Sequence, residues 1–335
     1  MSAGPSMAEL RRLGLLAHDS AVACVVERFG LPGSADHLRV LDAAVAGGLR
    51  FDVLPARGFD IGRAEFAGLP LGWVSPVSDA RPLDRPVGDA WIDRFVGGLV
   101  STCGLRHIGG AEDGRGGHPM HGDIGHRPAS NVRVEPARGR SLVRLSADVD
   151  SASVFGPSVR LERTITSGLR EDGAAFLRIA DRAFNTGAVP VPVRILYHVN
   201  LGAPAILPGA RVAVEARRHV FRRLVAEVPD WDRMPDPTPV ITEAVVLHDE
   251  PTRSPDGWSF CTVGSARFDV EVGWRADTLP YLHQWILPTR GRWALGIEPS
   301  SHPMFGAAVA RAGDDDLAPG DDRTFELVVA VRESD

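Results

Sequence analysis

Hydrophobic and polar residues alternate with a period of two along most of this chain. Leu49, Phe51 and Val53 are apolar and are separated by charged residues, and Gly47-Gly48 just before them is typical of a hairpin turn that follows Leu38–Val45. Because successive side chains of a strand point to opposite faces, the pattern predicts strands with one buried face. The same pattern predicts strands at Asn131–Glu135, Ser141–Ala147, Ser158–Thr166, Ala174–Ala180, Val191–Asn200, Arg211–Ala216, Ser259–Val263, Arg267–Val272, Tyr281–Leu287, Arg292–Glu298 and Thr324–Arg332.

Helical segments are few. Met7–Leu16 is suited to a short helix and Asp89–Phe95 to a turn or two, while Pro229–Pro239 and Ala312–Asp322 are typical of surface loops. The chain has 36 Gly and 26 Pro among 335 residues, which disfavours helices and favours turns. With no repeat, no strand–helix alternation and no linker, we predict one all-β antiparallel domain over residues 1–335, with 1–37 as an N-terminal extension.

The charge balance narrows the choice of partners. There are 37 basic residues, all of them Arg, against 43 acidic ones, for a net charge of −6. This excludes a broadly basic surface for nucleic acid, and the absence of Lys excludes Schiff-base chemistry and a P-loop. No apolar run approaches the ~18 residues of a membrane span. Three widely spaced cysteines, Cys24, Cys103 and Cys261, suggest reduced thiols in a cytoplasmic protein.

The segment Leu54–Gly62 is the first that carries candidate chemistry. Arg57 and Asp60 are close enough in sequence to form an ion pair across a turn, and Pro55 and Gly58 end the strand before them. One interpretation is a structural pair that fixes the loop. The other is that the planar guanidinium of Arg57 binds vicinal hydroxyls of a polar ligand.

A histidine-rich loop follows further along the chain. His118, His121, Asp123 and His126 are four potential ligands for zinc, manganese or iron within nine positions. Neighbouring glycines and prolines exclude a helical metal motif. The alternative, which we favour, is that one histidine reaches into a cleft and the others lie on the loop surface.

Two predicted strands end in groups that can transfer protons. His198 lies near the end of an apolar strand, where it is either a hydrogen-bonded core residue or a functional group. Glu298 ends another apolar strand, and a carboxylate there must be paired or have a raised pKa, as a general base needs. Tyr281 and Trp285 precede it, and aromatic faces pack against the C–H faces of sugars. Together these residues indicate a sugar site.

Several segments, taken in order, resemble the galactose mutarotase-like superfamily, which includes the aldose 1-epimerases. The resemblance runs from about residue 38 to the end of the chain and is carried by Leu54–Gly62, Gly97–Leu105, Pro119–Ile124, Tyr197–Gly202, Leu279–Trp285 and Gly296–Ser301. It implies a large antiparallel β-supersandwich with few short helices and an open sugar cleft on one sheet.

The resemblance also implies an isomerase that opens and recloses a sugar ring. By position, His198 matches the general acid and Glu298 the general base, and His121 resembles a second histidine that contacts the substrate. It implies no metal and no cofactor. The substrate-binding residues that we predict are Arg57, Asp60, His121, Asn200, Gln284 and Trp285.

Some positions depart from the family pattern. Pro299-Ser300 follows Glu298 where the family usually has Thr-Gln, so the hexose specificity of the family does not carry over directly. Two alternatives stay open: a non-catalytic carbohydrate-binding protein, and a lyase, isomerase or hydrolase acting on a modified sugar, with metal assistance from the histidine-rich loop. We expect a small sugar as the partner, unphosphorylated or mildly acidic, with Arg57 and Arg127 as groups for a carboxylate. Nucleic acid and membranes are not expected partners, and a homodimer is left open.

Overall fold

The computed structural model describes residues 7–30, 38–77, 81–112, 117–135, 141–226, 228, 230–304 and 316–334. Its strands, in chain order, are β1 (Ala23–Phe29), β2 (Arg39–Val45), β3 (Leu49–Leu54), β4 (Asp60–Phe66), β5 (Leu69–Pro70), β6 (Trp73–Val74), β7 (Gly97–Gly98), β8 (Val100–Leu105), β9 (Ala129–Glu135), β10 (Leu142–Ala152), β11 (Ser158–Leu169), β12 (Ala175–Asn185), β13 (Val191–Pro192), β14 (Arg194–Gly202), β15 (Arg211–Ala213), β16 (Ala216–Val225), β17 (Glu243–Pro251), β18 (Trp258–Gly264), β19 (Phe268–Arg275), β20 (Tyr281–Leu287), β21 (Ala294–Ser300), β22 (Asp316–Leu317) and β23 (Asp322–Glu333). One α-helix, α1 (Met7–Arg12), and three short 3₁₀ helices at Asp19–Ala21, Ile92–Arg94 and Ile124–His126 complete the described part.

Two large antiparallel sheets form the domain. The larger sheet has the order β1-β2-β3-β4-β8-β14-β21-β20-β17-β16, with β5 added beside β4. The smaller sheet has the order β15-β18-β19-β23-β12-β11-β10-β9. Adjacent strands in both sheets pair antiparallel, as the short connections between many of them require.

The core lies between these sheets and follows from the alternation seen in the sequence. In β10 the residues Val143, Leu145, Ala147 and Val149 are buried while their neighbours are less so. Burial of these apolar faces is the main stabilising contribution to a sandwich of this kind. The exception is Arg163, which occupies an inward position of β11 and is fully buried.

The prediction of an all-β antiparallel sandwich with few helices is confirmed, although several strands were missed. The missed strands include β1, β4, β8, β16 and β17. β16 was missed because its sequence is rich in exposed arginines, and it is an edge strand with one free side. β1 lies within residues 1–37, so this expected extension supplies the opposite edge strand of the larger sheet.

The predicted helices are shorter than expected. Met7–Leu16 contains α1, which ends at Arg12, and Asp89–Phe95 contains only the 3₁₀ turn Ile92–Arg94. Most of the expected loop Ala312–Asp322 lies outside the described residues or forms β22 and the start of β23. Among the described residues, no helix has both the length and the apolar character needed to cross a membrane.

Candidate active site

A cavity of about 220 Å³ opens on the larger sheet, on the face turned away from the smaller sheet. Tyr197 of β14 points into the core, where its hydroxyl donates to Asp181 of β12 at 2.7 Å. Because side chains alternate along a strand, the neighbouring His198 points to the opposite face and into the cavity. The cavity is lined by Trp91, Ile92, Phe95, Gly109, Gly110, Met120, His121, His198, Arg223, Glu243, Val245, Trp285, Glu298 and Met304.

The imidazole of His198 and the carboxylate of Glu298 meet at the floor of this cavity. His198 Nε2 and Glu298 Oε1 are 3.2 Å apart, and both side chains are almost completely buried. The contact exists because β14 and β21 are adjacent antiparallel strands, with Leu196 opposite Ser300. Two residues that are a hundred positions apart in the chain are therefore neighbours across one strand pair.

Burial shifts the two groups in opposite directions. It raises the pKa of Glu298 to about 8, with help from the nearby charge of Glu243. It lowers the pKa of His198 to about 3, with a further contribution from His121. Both shifts favour the uncharged form of a buried group. At neutral pH the pair therefore carries one transferable proton, on Glu298, beside the unprotonated Nε2 of His198.

Aromatic rings form the walls around this pair. The ring centroid of Trp285 is 5.4 Å and that of Phe95 5.3 Å from the ring of His198. His121 packs edge-on against Trp91, and its Nδ1 donates to the carbonyl of Ile108 at 2.8 Å. Burial lowers the pKa of His121 to about 4, so its ring is neutral and its Nε2 is a hydrogen-bond acceptor.

The loop that carries His121 is held close to β8 by glycine. Gly122 has a φ of 72°, and a Cβ atom there would lie 2.2 Å from the carbonyl oxygen of Gly104. The backbone of Gly104 in turn donates to the carbonyl of His121 at 3.0 Å. Only a residue without a side chain allows this approach, which explains the His-Gly pair in the sequence.

A second carboxylate lies at the rim of the cavity and was missed by the sequence analysis. Glu243 accepts from Nε1 of Trp285 at 3.0 Å, and its other oxygen lies 2.9 Å from Nε of Arg223. Both charged residues belong to β16 and β17, which were not predicted as strands. A signal was present: Glu243 begins the apolar run Ala244–Leu247, as Glu298 follows an apolar run of its own.

Two of the residues predicted to bind substrate, Asp60 and Arg57, make their contacts away from the cavity. The carboxylate of Asp60 is in the core, where it accepts from Thr102 and Arg163. Arg57 is buried, and its Nη2 donates to the carbonyl of Arg94 at 2.9 Å. Neither residue lines the cavity, so we assign them a structural role and leave them out of the proposed site.

Gln284 and Asn200 also lie outside the cavity lining. Gln284 points to the core face of β20, where it accepts from His248 and donates to the carbonyl of Trp231. Asn200 is fully buried, and its side chain donates to the backbone carbonyl of His198 at 2.9 Å, a hydrogen bond within the same strand. Of the predicted site residues, the structure thus brings together His121, His198, Trp285 and Glu298.

The histidine-rich loop does not gather its four candidate ligands. His121 lines the cavity, whereas His118 stacks on His107 and the Nδ1 of His126 accepts from the amide of Leu83. Asp123 accepts from Arg127 and Ser151. Within the described ranges, no three His, Cys, Asp or Glu side chains are placed to hold a metal ion.

Several solved structures share this fold. A candidate aldose 1-epimerase from Klebsiella pneumoniae subsp. pneumoniae MGH 78578 superposes with a TM-score of 0.80 at 21% identity, covering 92% of this chain and 83% of that chain. The galactose 1-epimerase of Lactobacillus acidophilus NCFM gives 0.60 at 12% identity, covering 93% of this chain and all (100%) of that one. A galactose mutarotase-like protein from Lactobacillus casei ATCC 334 gives 0.56 at 13% identity, covering 92% and 100%.

These likenesses define the fold as that of the galactose mutarotase-like class, and the resemblance noted in the sequence is confirmed at that level. Residues 35–331 match the model of the family described as "Domain of unknown function (DUF4432)", and the chain belongs to this family. None of the curated protein sequences matches the chain significantly.

Proposed function

We propose that this protein is an aldose 1-epimerase-like enzyme that interconverts sugar anomers by acid–base ring opening. The observation that carries the proposal is the 3.2 Å contact between His198 Nε2 and Glu298 Oε1 at the floor of an aromatic-walled cavity. Proton transfer to one sugar oxygen and from another needs two such groups within reach of one ring. The fold class and the printed descriptions of its relatives support a sugar as the substrate.

Ring opening requires the single proton of the pair to lie on His198. The raised pKa of Glu298 keeps it on this carboxyl group, and the 3.2 Å contact lets it move to Nε2 of His198 when a polar sugar enters. Glu298 then takes the proton of the anomeric hydroxyl, the bond from C1 to the ring oxygen breaks, and His198 protonates that oxygen. After rotation about C1–C2 the same two groups return the protons in reverse, and the ring closes as the other anomer. His121 and Trp285 position the sugar through its hydroxyls and its C–H face.

Gly296 is expected to be necessary for this geometry. A Cβ atom at Gly296 would lie 2.6 Å from Glu298 Oε1 and 3.2 Å from Cε1 of His198. Gly296→Ala should therefore push the two groups apart and lower the anomer-exchange rate by about 100-fold, the usual cost of a misplacement near 1 Å. Gly264→Ala on the smaller sheet, whose nearest contact would be 3.4 Å, is the control, and equal activity of the two variants would contradict this positioning role.

The pH dependence follows from the single shared proton. As the pH rises through about 8, the pKa of Glu298, the pair loses that proton and can no longer protonate the ring oxygen. We expect kcat/KM to be level near neutral pH and to fall about tenfold per unit above about pH 8. The profile is measured with buffer-only rates subtracted, and a rate that keeps rising to pH 10 would contradict it.

The proposed function is tested by exchange NMR of anomers over a panel of aldoses, ketoses and sugar acids. We expect the purified protein to accelerate exchange of at least one sugar well beyond the buffer rate. A Glu298→Gln protein purified in the same way shows whether the acceleration comes from a contaminating enzyme. Absence of acceleration for the whole panel, with a folded protein, would overturn the proposal.

A further inference from the structure

Arg223 lines the cavity, and Arg222 lies next to it at an irregularity in β16. The register between β16 and β17 shifts between Phe221, opposite Val246, and Arg223, opposite Val245. Arg222 is therefore the extra residue of a β-bulge, a feature that re-aims side chains and is frequent beside active sites. Since Val245 lines the cavity, the shift places Arg223 in the lining as well.

The guanidinium groups of Arg223 and Arg222 differ in their ion pairs. Nε of Arg223 lies 2.9 Å from a carboxylate oxygen of Glu243, and its side chain lines the cavity and is 52% exposed. Arg222 is exposed and makes no ion pair with any residue in the described ranges. Arg222 also lies close enough to affect His283. The pKa of His283 is lowered first by burial, then by the charge of His248 and then by the charge of Arg222.

The charges in and beside the described part of the cavity lining leave a positive excess at neutral pH. His121 and His198 are neutral, and Glu298 carries its proton because burial raises its pKa. Of the described lining residues, Arg223 and Glu243 remain as one cation and one anion, and Arg222, next to Arg223 in the bulge, adds a second cation beside them. Glu243 is paired with Arg223 and accepts a hydrogen bond from the indole of Trp285, so, of these two arginines, the one without an ion pair in the described part of the chain is Arg222. A neutral sugar would leave this excess unused.

The arginines that the sequence suggested for a carboxylate are occupied elsewhere. Nη2 of Arg127 donates to Asp123 at 2.5 Å, and Nη2 of Arg57 donates to the carbonyl of Arg94. Neither lines the cavity. Among the described residues, the arginine in the cavity lining is Arg223 of β16, with Arg222 beside it in the chain.

We propose that the cavity takes a sugar that carries one carboxylate, a uronic acid in its ring form, and that Arg223 and Arg222 bind this carboxylate at the rim while the anomeric carbon faces His198 and Glu298. A planar guanidinium matches a carboxylate with two parallel hydrogen bonds. The inference rests on the proposed function only in placing a sugar in this cavity.

The test compares sugars that differ only at C6. Isothermal titration calorimetry gives the dissociation constants of glucuronate and glucose, and of galacturonate and galactose, at low salt and at roughly 0.5 M salt. Exposed charges become screened over this range of salt concentration. Glucose 6-phosphate is the third probe. We expect at least one uronate to bind about tenfold tighter than its neutral partner, with the preference reduced at high salt.

Variants on the same strand separate the rim from a general charge effect. Arg222→Gln removes a cation without breaking any described ion pair, and it should reduce the preference for the uronate to about threefold or less, as should Arg223→Gln. Arg217→Gln is the control, because Arg217 pairs with Glu250 at 3.1 Å and lies outside the cavity lining. It should leave the preference for the uronate unchanged.

Three results would overturn the proposal: equal binding of uronate and hexose, tighter binding of the phosphate than of the uronate, or a preference that survives both rim substitutions. Anomer exchange is followed by NMR in the same samples. Arginine-dependent binding of a uronate without any acceleration of exchange would contradict the epimerase function and would still support the carboxylate site.

Discussion

Glu298→Gln and His198→Ala are each expected to lower the anomer-exchange rate by about 100-fold or more, the usual size of a general acid–base contribution. Glutamine can still donate a hydrogen bond to Nε2 of His198, so the cavity keeps its shape while the transferable proton is lost. Alanine removes the imidazole altogether. The rates are measured by exchange NMR on the best substrate of the panel.

The matched control is Glu271→Gln, which replaces a half-exposed glutamate of the smaller sheet that pairs with Arg170. It should keep the wild-type rate. Full activity of either Glu298→Gln or His198→Ala would remove that residue from the proposed mechanism. A loss of activity in the control would instead point to a general effect of the substitution on the fold.

Glu298→Gln should also stabilise the fold, since a buried acid with a raised pKa destabilises it at neutral pH. Below pH 4.5, its ordinary value, Glu298 is protonated in both the folded and the unfolded chain. Between 4.5 and about 8 the unfolded chain ionises while the folded chain keeps its proton, so stability falls as the pH rises through this window. The variant should gain roughly 2–3 kcal/mol at pH 7 and almost nothing near pH 4 by urea unfolding. An equal gain at both pH values would contradict this origin.

The largest effect on stability is expected from Arg163→Met. The side chain of Arg163 is fully buried and donates to Asp181, Asp60 and Thr102, which belong to three other strands. Tyr197 donates to the same Asp181, so the network reaches the strand that carries His198. Removing the cation leaves two buried carboxylates without their partner. We expect a loss of about 3–5 kcal/mol in the free energy of unfolding.

Urea unfolding of Arg160→Met provides the comparison. Arg160 lies on the same strand, and its side chain is 39% exposed and paired with Asp150. Its replacement should change the free energy of unfolding by less than about 1 kcal/mol. If the two variants were equally stable, the buried network would not have the role that its contacts suggest.

Local patterns of apolar and polar residues were sufficient to predict the all-β fold class. The period-two alternation in segments such as Val143–Val149 predicts strands with one buried face, because any antiparallel sandwich buries such a face. The same reasoning missed β16, whose arginines face solvent, and β17, whose apolar run follows a glutamate. Those two strands form one wall of the cavity, so Arg223 and Glu243 were missed with them.

Local chemistry was also sufficient to single out Glu298, because a carboxylate at the end of an apolar strand must be paired or neutral. It did not separate the core from the cavity. Asp60 and Gln284 look as functional as Glu298 in the sequence, yet they point to the core face of the larger sheet. Which face a residue occupies depends on the register of its strand, and a shift of one residue exchanges the two faces.

The sequence by itself determined the all-β class and many of the strands, and it singled out the two residues that we propose for proton transfer, since each of these depends on a residue and its near neighbours. Only the tertiary structure decided that His198 and Glu298 touch, that Arg163 bridges two sheets, and that Arg223 lines the cavity with Arg222 beside it. These facts depend on the order of strands within a sheet and on a bulge in one of them. Pairing between distant segments is a property of the whole chain, and no local pattern encodes it.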